Sequence, residues 1–135
     1  YCADMTRTIF AGEVSAELQN LYNYILKNQL RATKDNKEGI SCKMIARSVE
    51  NDFYLYKYTL IHALGHGVGL EIHELPYLSH NSQNILKENM VVTNEPGIYL
   101  PGKYGIRIED TIRVGKLESE VLTKSSKEIL VVDAK

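Results

Sequence analysis

The segment HALGHGVGLEIHE, residues 62–74, most constrains the fold, because it holds three of the chain's four histidines and three of its glycines. His62 and His66 have the four-residue spacing of a helix face, but the glycines between and after them disfavour a helix. The segment has neither the HExxH pattern of helical zinc sites nor the GxGxxG pattern of dinucleotide-binding loops. We therefore expect short strands here, and the clustered histidines are as compatible with a binding site as with ordinary core or surface positions.

Helical patterns precede this segment. Residues 1–10 are rich in Thr, Tyr, Ile and Phe and are followed by a glycine, which predicts a strand that ends in a turn. Apolar residues recur every three or four positions over residues 13–32, which predicts a helix, and a polar loop follows over residues 33–39. Ser41 is a suitable N-cap for a second helix. The tyrosine-rich residues 54–58 fit either a strand or the end of that helix.

Strand patterns dominate later in the chain. Residues 90–100 predict a strand interrupted by Pro96-Gly97, residues 106–114 predict one alternating strand, and residues 127–132 predict a last strand or short helix. Helices first and strands later indicate an α+β fold rather than a regular βαβ series. With 44% hydrophobic and 24% charged residues, the composition is that of a globular protein, and we expect one domain over residues 1–135.

Charge and cysteine content narrow the classes of partner and compartment. The net charge of −1 does not favour nucleic acid or an anionic membrane surface, and no apolar run reaches the ~18 residues of a membrane span. Two cysteines, Cys2 and Cys42, do not make a disulfide framework, so we expect free thiols in a reducing compartment such as the cytoplasm. The first residue is tyrosine, so we expect a piece of a longer protein.

Three carboxylates stand out because of their positions in strand patterns. Glu95 lies in an apolar strand, Asp4 lies within the predicted first strand, and Glu109 alternates with apolar neighbours on the same side as Arg107. The simpler interpretations are an edge-strand charge for Asp4 and a surface ion pair for Glu109. Several carboxylates with one histidine would suit Mn²⁺, Fe²⁺ or Co²⁺, with Zn²⁺ also compatible, and bridging carboxylates could hold two ions ~3.5–4 Å apart.

Three stretches carry a resemblance to a known family. YCADMTRT, HALGHGVGLEIHELP and TNEPGIYLPGKYGIRIEDT resemble the signatures of the pita-bread metallopeptidases, which include methionine aminopeptidase, Xaa-Pro aminopeptidase and prolidase. The resemblance runs from Tyr1 to about Leu122, and EPGIY followed by GIRIED resembles the Xaa-Pro branch. It implies the C-terminal part of the pita-bread (creatinase/aminopeptidase) fold, a curved antiparallel sheet with helices on one face.

The resemblance also implies roles for individual residues. Four match the family's metal ligands: Asp4, His66, Glu95 and Glu109. Four others match residues that touch substrate or lie near it: His62, His73, Tyr99 and Arg107.

The implied activity is that of a metal-dependent exopeptidase acting on peptides with proline at the second position. The resemblance implies two divalent ions, Mn²⁺ foremost, with a bridging hydroxide that attacks the scissile carbonyl. Glu95 would carry the proton from that water to the leaving amine, His73 would donate to the oxyanion, and His62 would line the proline pocket. The intact protein would be a homodimer.

Three alternatives remain open at this point. The same fold hosts non-catalytic binding modules, methionine aminopeptidases and creatinase-like hydrolases that use no metal. Retention of all four ligand types argues against a binding module, and a creatinase-like enzyme would carry other residues at the carboxylate positions.

The chain departs from the family pattern at its start. The family carries another metal aspartate roughly ten residues before the position of Asp4, on the other arm of a β-hairpin, and this chain begins after it. We therefore expect the second ion site to be incomplete and the chain by itself to be inactive, with at most one weakly bound ion. The segment around Asp4 would present an open edge that could pair with another chain.

Overall fold

The computed structural model describes residues 1–134 and contains two helices, α1 (Ala16–Asp35) and α2 (Cys42–Leu55). Helix α1 begins later than predicted because the Ser15 side chain accepts a hydrogen bond of 3.2 Å from the Leu18 N–H and caps the helix. It also continues three residues into the predicted loop. Asn36 then ends it, with its backbone N–H bonded to the carbonyl of Ala32.

Helix α2 begins directly after Ser41, as predicted, although the Ser41 side chain makes no capping hydrogen bond. The tyrosine-rich stretch proves to be the end of this helix. Tyr56 lies at its C-cap, and its N–H bonds to the carbonyl of Phe53.

Nine short strands complete the part of the chain that the structure describes. They are β1 (Ile9–Ala11), β2 (Gly65–Gly67), β3 (Glu74–Leu78), β4 (Val91–Asn94), β5 (Gly97–Leu100), β6 (Tyr104–Arg107), β7 (Asp110–Arg113), β8 (Glu120–Val121) and β9 (Leu130–Val132). The main sheet has five antiparallel strands in the order β3-β2-β4-β7-β8. Strands β5 and β6 form a hairpin, and β1 pairs with β9 in parallel.

The register of β4 against β7 places two glutamates side by side at the end of the ladder. Asn94 lies opposite Asp110, the last pair of the ladder. The next residue on each strand, Glu95 after β4 and Glu109 before β7, therefore leaves the sheet beside the other. The α+β order predicted from the sequence is confirmed.

Two strand predictions need correction. Residues 1–8 form no strand, so Asp4 does not lie within one. Instead Thr6 makes an isolated bridge to Glu109, and the Cys2 N–H bonds to the Gly69 carbonyl. This segment bonds to several different elements in turn and so cannot form a ladder with one of them.

Residues 106–114 form two strands of different sheets, because Ile108 leaves the β5–β6 hairpin and its N–H bonds to Pro96.

The last strand and the hydrophobic core remain to be described. Residues 127–132 contain strand β9 and not a helix. The helices pack their apolar faces against the sheets, and the core includes Tyr22, Ile25, Ile45, Val49, Phe53, Leu64, Leu78, Val92, Ile106 and Ile108. Neither helix within residues 1–134 combines the length and apolar character that a membrane crossing requires.

Candidate metal centre

Four residues from separate parts of the chain converge on one volume. The ligand atoms of His66, Glu95 and Glu109 lie within 4.8 Å of one another. His66 Nε2 is 3.2 Å from Glu95 Oε1 and 3.6 Å from Asp4 Oδ2. These four side chains therefore lie close together although they are far apart in the sequence.

Glycines allow strand β2 to bring His66 this close to its neighbours. A Cβ added at Gly65 would lie 2.0 Å from the backbone oxygen of Thr93, and one at Gly67 would lie 2.4 Å from that of Leu75. The glycines of the HALGHGVGL stretch thus do more than prevent a helix. They permit backbone approaches that any side chain would block.

The orientation of the His66 ring is set by a backbone contact. Nδ1 lies 3.0 Å from the carbonyl oxygen of Gly67, which can only accept, so Nδ1 carries the proton. Nε2 then faces Glu95 and Asp4. A neutral imidazole would aim a lone pair at two carboxylates, so this arrangement calls for a positive charge, either a proton or a cation.

In the absence of a cation, these contacts shift the pKa values of His66 and Glu95. Burial lowers the pKa of His66, but its hydrogen bonds to Glu95 and Gly67 and the charges of Glu95 and Asp4 outweigh burial, so the pKa is raised. Burial alone would raise the pKa of Glu95. The hydrogen bonds from His66 and Thr93 outweigh it, and the pKa of Glu95 is lowered.

Glu109 behaves differently from Glu95. Its side chain is 2% exposed, and burial raises its pKa, helped by repulsion from Glu95 and Asp4. A hydrogen bond from Thr6 and the charge of Arg107 oppose this rise without cancelling it. Crowding of carboxylates, one of them fully buried, is the condition that a bound divalent ion relieves.

The donor set therefore fits a divalent cation. One imidazole nitrogen with its lone pair directed inward and three carboxylates make an oxygen-rich site for a hard or borderline ion. The residues that would hold it are Asp4, His66, Glu95 and Glu109.

The two other histidines of the segment lie beside this group. The His73 ring centre is 4.3 Å from that of His66, and its nearest nitrogen lies within 4.8 Å of the ligand atoms of Asp4 and His66. His73 is exposed. His62 Nε2 is 2.8 Å from the Tyr99 hydroxyl.

Tyr99 and Arg107 border the same volume. Arg107 Nη1 lies 3.4 Å from the Tyr99 hydroxyl, and Arg107 Nε lies 3.8 Å from Glu109 Oε2. Burial lowers the pKa of Arg107, but the contact with Tyr99 and the charges of Glu109 and Glu95 outweigh it, so the pKa is raised. The guanidinium stays charged and open to an anionic or carbonyl group.

Sequence reasoning missed the hydroxyls that hold the carboxylates. Thr93 Oγ1 donates to Glu95 Oε1 at 2.9 Å, and Thr6 Oγ1 donates to Glu109 Oε2 at 2.5 Å. A signal was available for Thr93, because residues two apart on an extended chain share a face. Nothing local could have indicated Thr6, which lies 103 positions from its partner.

Comparisons with known proteins agree with this geometry. The sequence profile of metallopeptidase family M24 matches residues 1–116. The Xaa-Pro dipeptidase of Pyrococcus furiosus is 44% identical over 133 residues, which are 96% of this chain and 38% of that protein. The chain thus spans less than two fifths of the length of this curated relative.

Solved structures agree as well. The chain resembles the X-Pro aminopeptidase from Thermotoga maritima, with a TM-score of 0.92 and 41% identity over 98% of this chain and 38% of that one. It also resembles the Xaa-Pro dipeptidase from Bacillus anthracis, with a TM-score of 0.89 and 44% identity over the same shares. The expected pita-bread fold is confirmed, and the chain belongs to metallopeptidase family M24.

Proposed function

We propose that the protein carrying this chain is a metal-dependent exopeptidase that cleaves peptides with proline at the second position. The observation that carries the proposal is the inward-facing Nε2 of His66 between two carboxylates, with Glu109 alongside. The names of the similar proteins support the choice of substrate class. An oxygen-rich donor set favours Mn²⁺, with Co²⁺, Fe²⁺ and Zn²⁺ as alternatives.

The residues around the metal ligands would each have a task. Two divalent ions, when bound, would polarise the scissile carbonyl and lower the pKa of a water molecule so that it attacks near neutral pH. Glu95 would pass the proton of that water to the leaving amine, since its carboxylate lies beside the proposed ligand atom, 3.2 Å from His66 Nε2. His73, exposed beside His66, would donate to the oxygen of the substrate carbonyl.

The proline side of the substrate would meet a second group of residues. His62 is half-buried, and its ring packs edge-on against Tyr99 with 5.4 Å between the ring centres. We propose that this pair forms a wall of the proline pocket. Arg107 would orient the substrate through its guanidinium, which Tyr99 and Thr6 already hold.

The free thiols support a reducing compartment for the protein. Cys2 is exposed and Cys42 is buried, and both are free. We propose the cytoplasm on that basis.

A panel of peptides tests the proposal. The full-length protein is loaded with Mn²⁺ and incubated with Ala-Pro, Ala-Pro-Ala, Met-Ala and Ala-Ala-Ala, and the released amino acids are quantified. We expect cleavage of the two proline peptides only, abolished by a chelator and restored by Mn²⁺. Preferential cleavage of Met-Ala would favour a methionine aminopeptidase, and Mn²⁺ binding without any cleavage would favour a binding module.

A further inference from the structure

Thr93 connects two of the proposed metal ligands through one hydroxyl group. Its Oγ1 accepts a hydrogen bond of 3.0 Å from the backbone N–H of His66 and donates one of 2.9 Å to Glu95 Oε1. Thr93 is fully buried on β4, and His66 lies on the neighbouring strand β2. The hydroxyl therefore ties the backbone of one ligand to the carboxylate of another.

Thr6 repeats this arrangement at Glu109. Its Oγ1 accepts a hydrogen bond of 3.0 Å from Arg107 Nε and donates one of 2.5 Å to Glu109 Oε2. The backbone of Thr6 adds a further constraint, because its carbonyl accepts the Glu109 N–H at 3.1 Å. Thr6 thus holds both the main chain and the side chain of Glu109.

The direction of each hydroxyl proton follows from elementary chemistry. A backbone N–H and a guanidinium N–H can only donate, and an ionised carboxylate can only accept. Each threonine hydroxyl has a single proton, so once it accepts from the N–H its own proton must point to the carboxylate. One oxygen of Glu95 and one of Glu109 are thereby fixed, and rotation of each carboxylate is restricted.

We propose that Thr6 and Thr93 are positioning residues of the metal centre, which orient Glu109 and Glu95 and so set the affinity for the ions. The proposal rests on the proposed function, since it assumes that these carboxylates bind metal. Hydrogen-bonded partners of this kind stabilise the ligand orientation that the ion needs, so that less ordering remains to be done when it binds.

Valine and serine substitutions test the proposal. Valine keeps the shape of threonine but removes the hydroxyl, and serine keeps the hydroxyl. Mn²⁺ affinity of each full-length variant is measured by calorimetric titration. We expect Thr6→Val and Thr93→Val to weaken the affinity about tenfold to hundredfold, and Thr6→Ser and Thr93→Ser to stay within about threefold of wild type.

Thr8→Val is the matched control. Thr8 lies in the same segment as Thr6, and its hydroxyl also contacts Arg107, but only the backbone carbonyl and N–H of that residue. Its removal should leave Mn²⁺ affinity within about threefold of wild type. Circular dichroism of each metal-free variant establishes that it is folded.

The possible results separate the two proposals. If wild type binds Mn²⁺ and the valine variants at both positions bind it equally well, the positioning role is refuted while the metal centre stands. The same conclusion follows if serine weakens binding as much as valine. If Thr93→Val fails to fold, Thr93→Ser and the Thr6 pair decide the question. If wild type binds no Mn²⁺, the proposed function fails first, and the positioning role fails with it.

Discussion

At the scale of single residues, the direction of one ring nitrogen organises the site. The Gly67 carbonyl accepts a hydrogen bond from Nδ1–H of His66, so Nε2 is left to face Glu95 and Asp4. Because the carbonyl belongs to the next residue along β2, this orientation is built into the strand itself. A cation that enters the site therefore meets Nε2 of His66 without any rotation of the ring.

Glu95→Gln should separate metal binding from turnover. Glutamine is nearly isosteric with glutamate and can still offer an oxygen, but it cannot accept a proton from water and pass it to an amine. We expect some Mn²⁺ binding to remain while turnover of Ala-Pro falls about 10²- to 10⁴-fold.

Glu50→Gln is the matched control for this variant. Glu50 also lies 3.2 Å from a histidine, His80, but this pair lies at the surface and outside the proposed metal centre. Rates are compared at equal metal occupancy. A Glu95→Gln variant that turns over within about threefold of wild type would rule out Glu95 as the proton carrier.

His73→Ala should lower kcat without changing metal content. We predict that His73 contacts substrate and binds no ion, although its nitrogen lies within 4.8 Å of the ligand atoms of Asp4 and His66. Metal content by elemental analysis and kcat are measured on the same preparation. Loss of metal in proportion to activity would make His73 a ligand.

The sequence alone allowed only some residues of the proposed site to be predicted. Asp4, Glu95 and Glu109 stood out because a carboxylate within a strand pattern is costly unless it has a partner. The three clustered histidines stood out only as a group, and the family resemblance singled out His66 among them. Thr6 and Thr93 did not stand out, because threonine is ordinary in extended segments and its role depends on which carboxylate lies opposite.

At the scale of elements, one ion-paired group links the two helices. Tyr24 of α1 donates its hydroxyl proton to Asp52 of α2 at 3.0 Å, and Arg31 Nη1 lies 3.6 Å from the same carboxylate. Burial raises the pKa of Asp52, but hydrogen bonds from Asn28 and Tyr24 and the charge of Arg31 outweigh it, so the pKa is lowered.

This lowered pKa predicts how acid affects the helix pair. A carboxyl group whose folded pKa is depressed stabilises the fold above its unfolded pKa of about 3.9 and loses that contribution as pH falls through the folded value. Asp52→Asn should therefore lower the free energy of unfolding at pH 7 by about 1 kcal/mol. The difference from wild type should shrink below about pH 4.

Urea unfolding at several pH values measures this effect, with the exposed Asp133→Asn as control. A difference between wild type and Asp52→Asn that stays constant down to pH ~2 would show that the charge of Asp52 contributes nothing.

The elements themselves were predicted where local chemistry determines them. Helix α1 was predicted from its apolar spacing and α2 from its N-cap residue Ser41. The observed ends of α1 differ from the predicted ones because Ser15 and Asn36 determine where it begins and ends. The break of residues 106–114 into β6 and β7 could not be predicted. It depends on contacts made outside the segment, because the Ile108 N–H bonds to the Pro96 carbonyl and Thr6, a hundred positions away, bridges Glu109.

At the scale of the whole molecule, Asp110 connects the start of β7 to three other segments. It is fully buried, lies 2.7 Å from Arg7 Nη2, pairs with Lys127 Nζ, and accepts a hydrogen bond of 2.7 Å from Gln29 of α1. Arg7 also donates to the carbonyl of Glu109 at 2.6 Å. The network therefore holds the start of β7 and the segment that carries Asp4 in one arrangement.

Asp110→Asn should destabilise the protein strongly. The asparagine would leave Arg7 and Lys127 close together without a counter-charge, and breaking a buried ion pair in this way costs about 3–5 kcal/mol. The free energy of unfolding in urea measures the effect.

Glu120→Gln is the control, since it removes a partner of Arg113 from an exposed pair, where the loss should be below about 1 kcal/mol. If both variants lost the same small amount, the buried network would have no special role in stability.

The central claim is that Asp4, His66, Glu95 and Glu109 together hold divalent metal. The most direct test is diffraction from crystals of the full-length protein grown with Mn²⁺, recorded at the manganese absorption edge. We predict an anomalous peak at bonding distance, about 2.0–2.3 Å, from His66 Nε2 and from carboxylate oxygens of Glu95 and Glu109. The absence of a peak there, or a peak only at the surface pair of His80 and Glu50, would contradict the account.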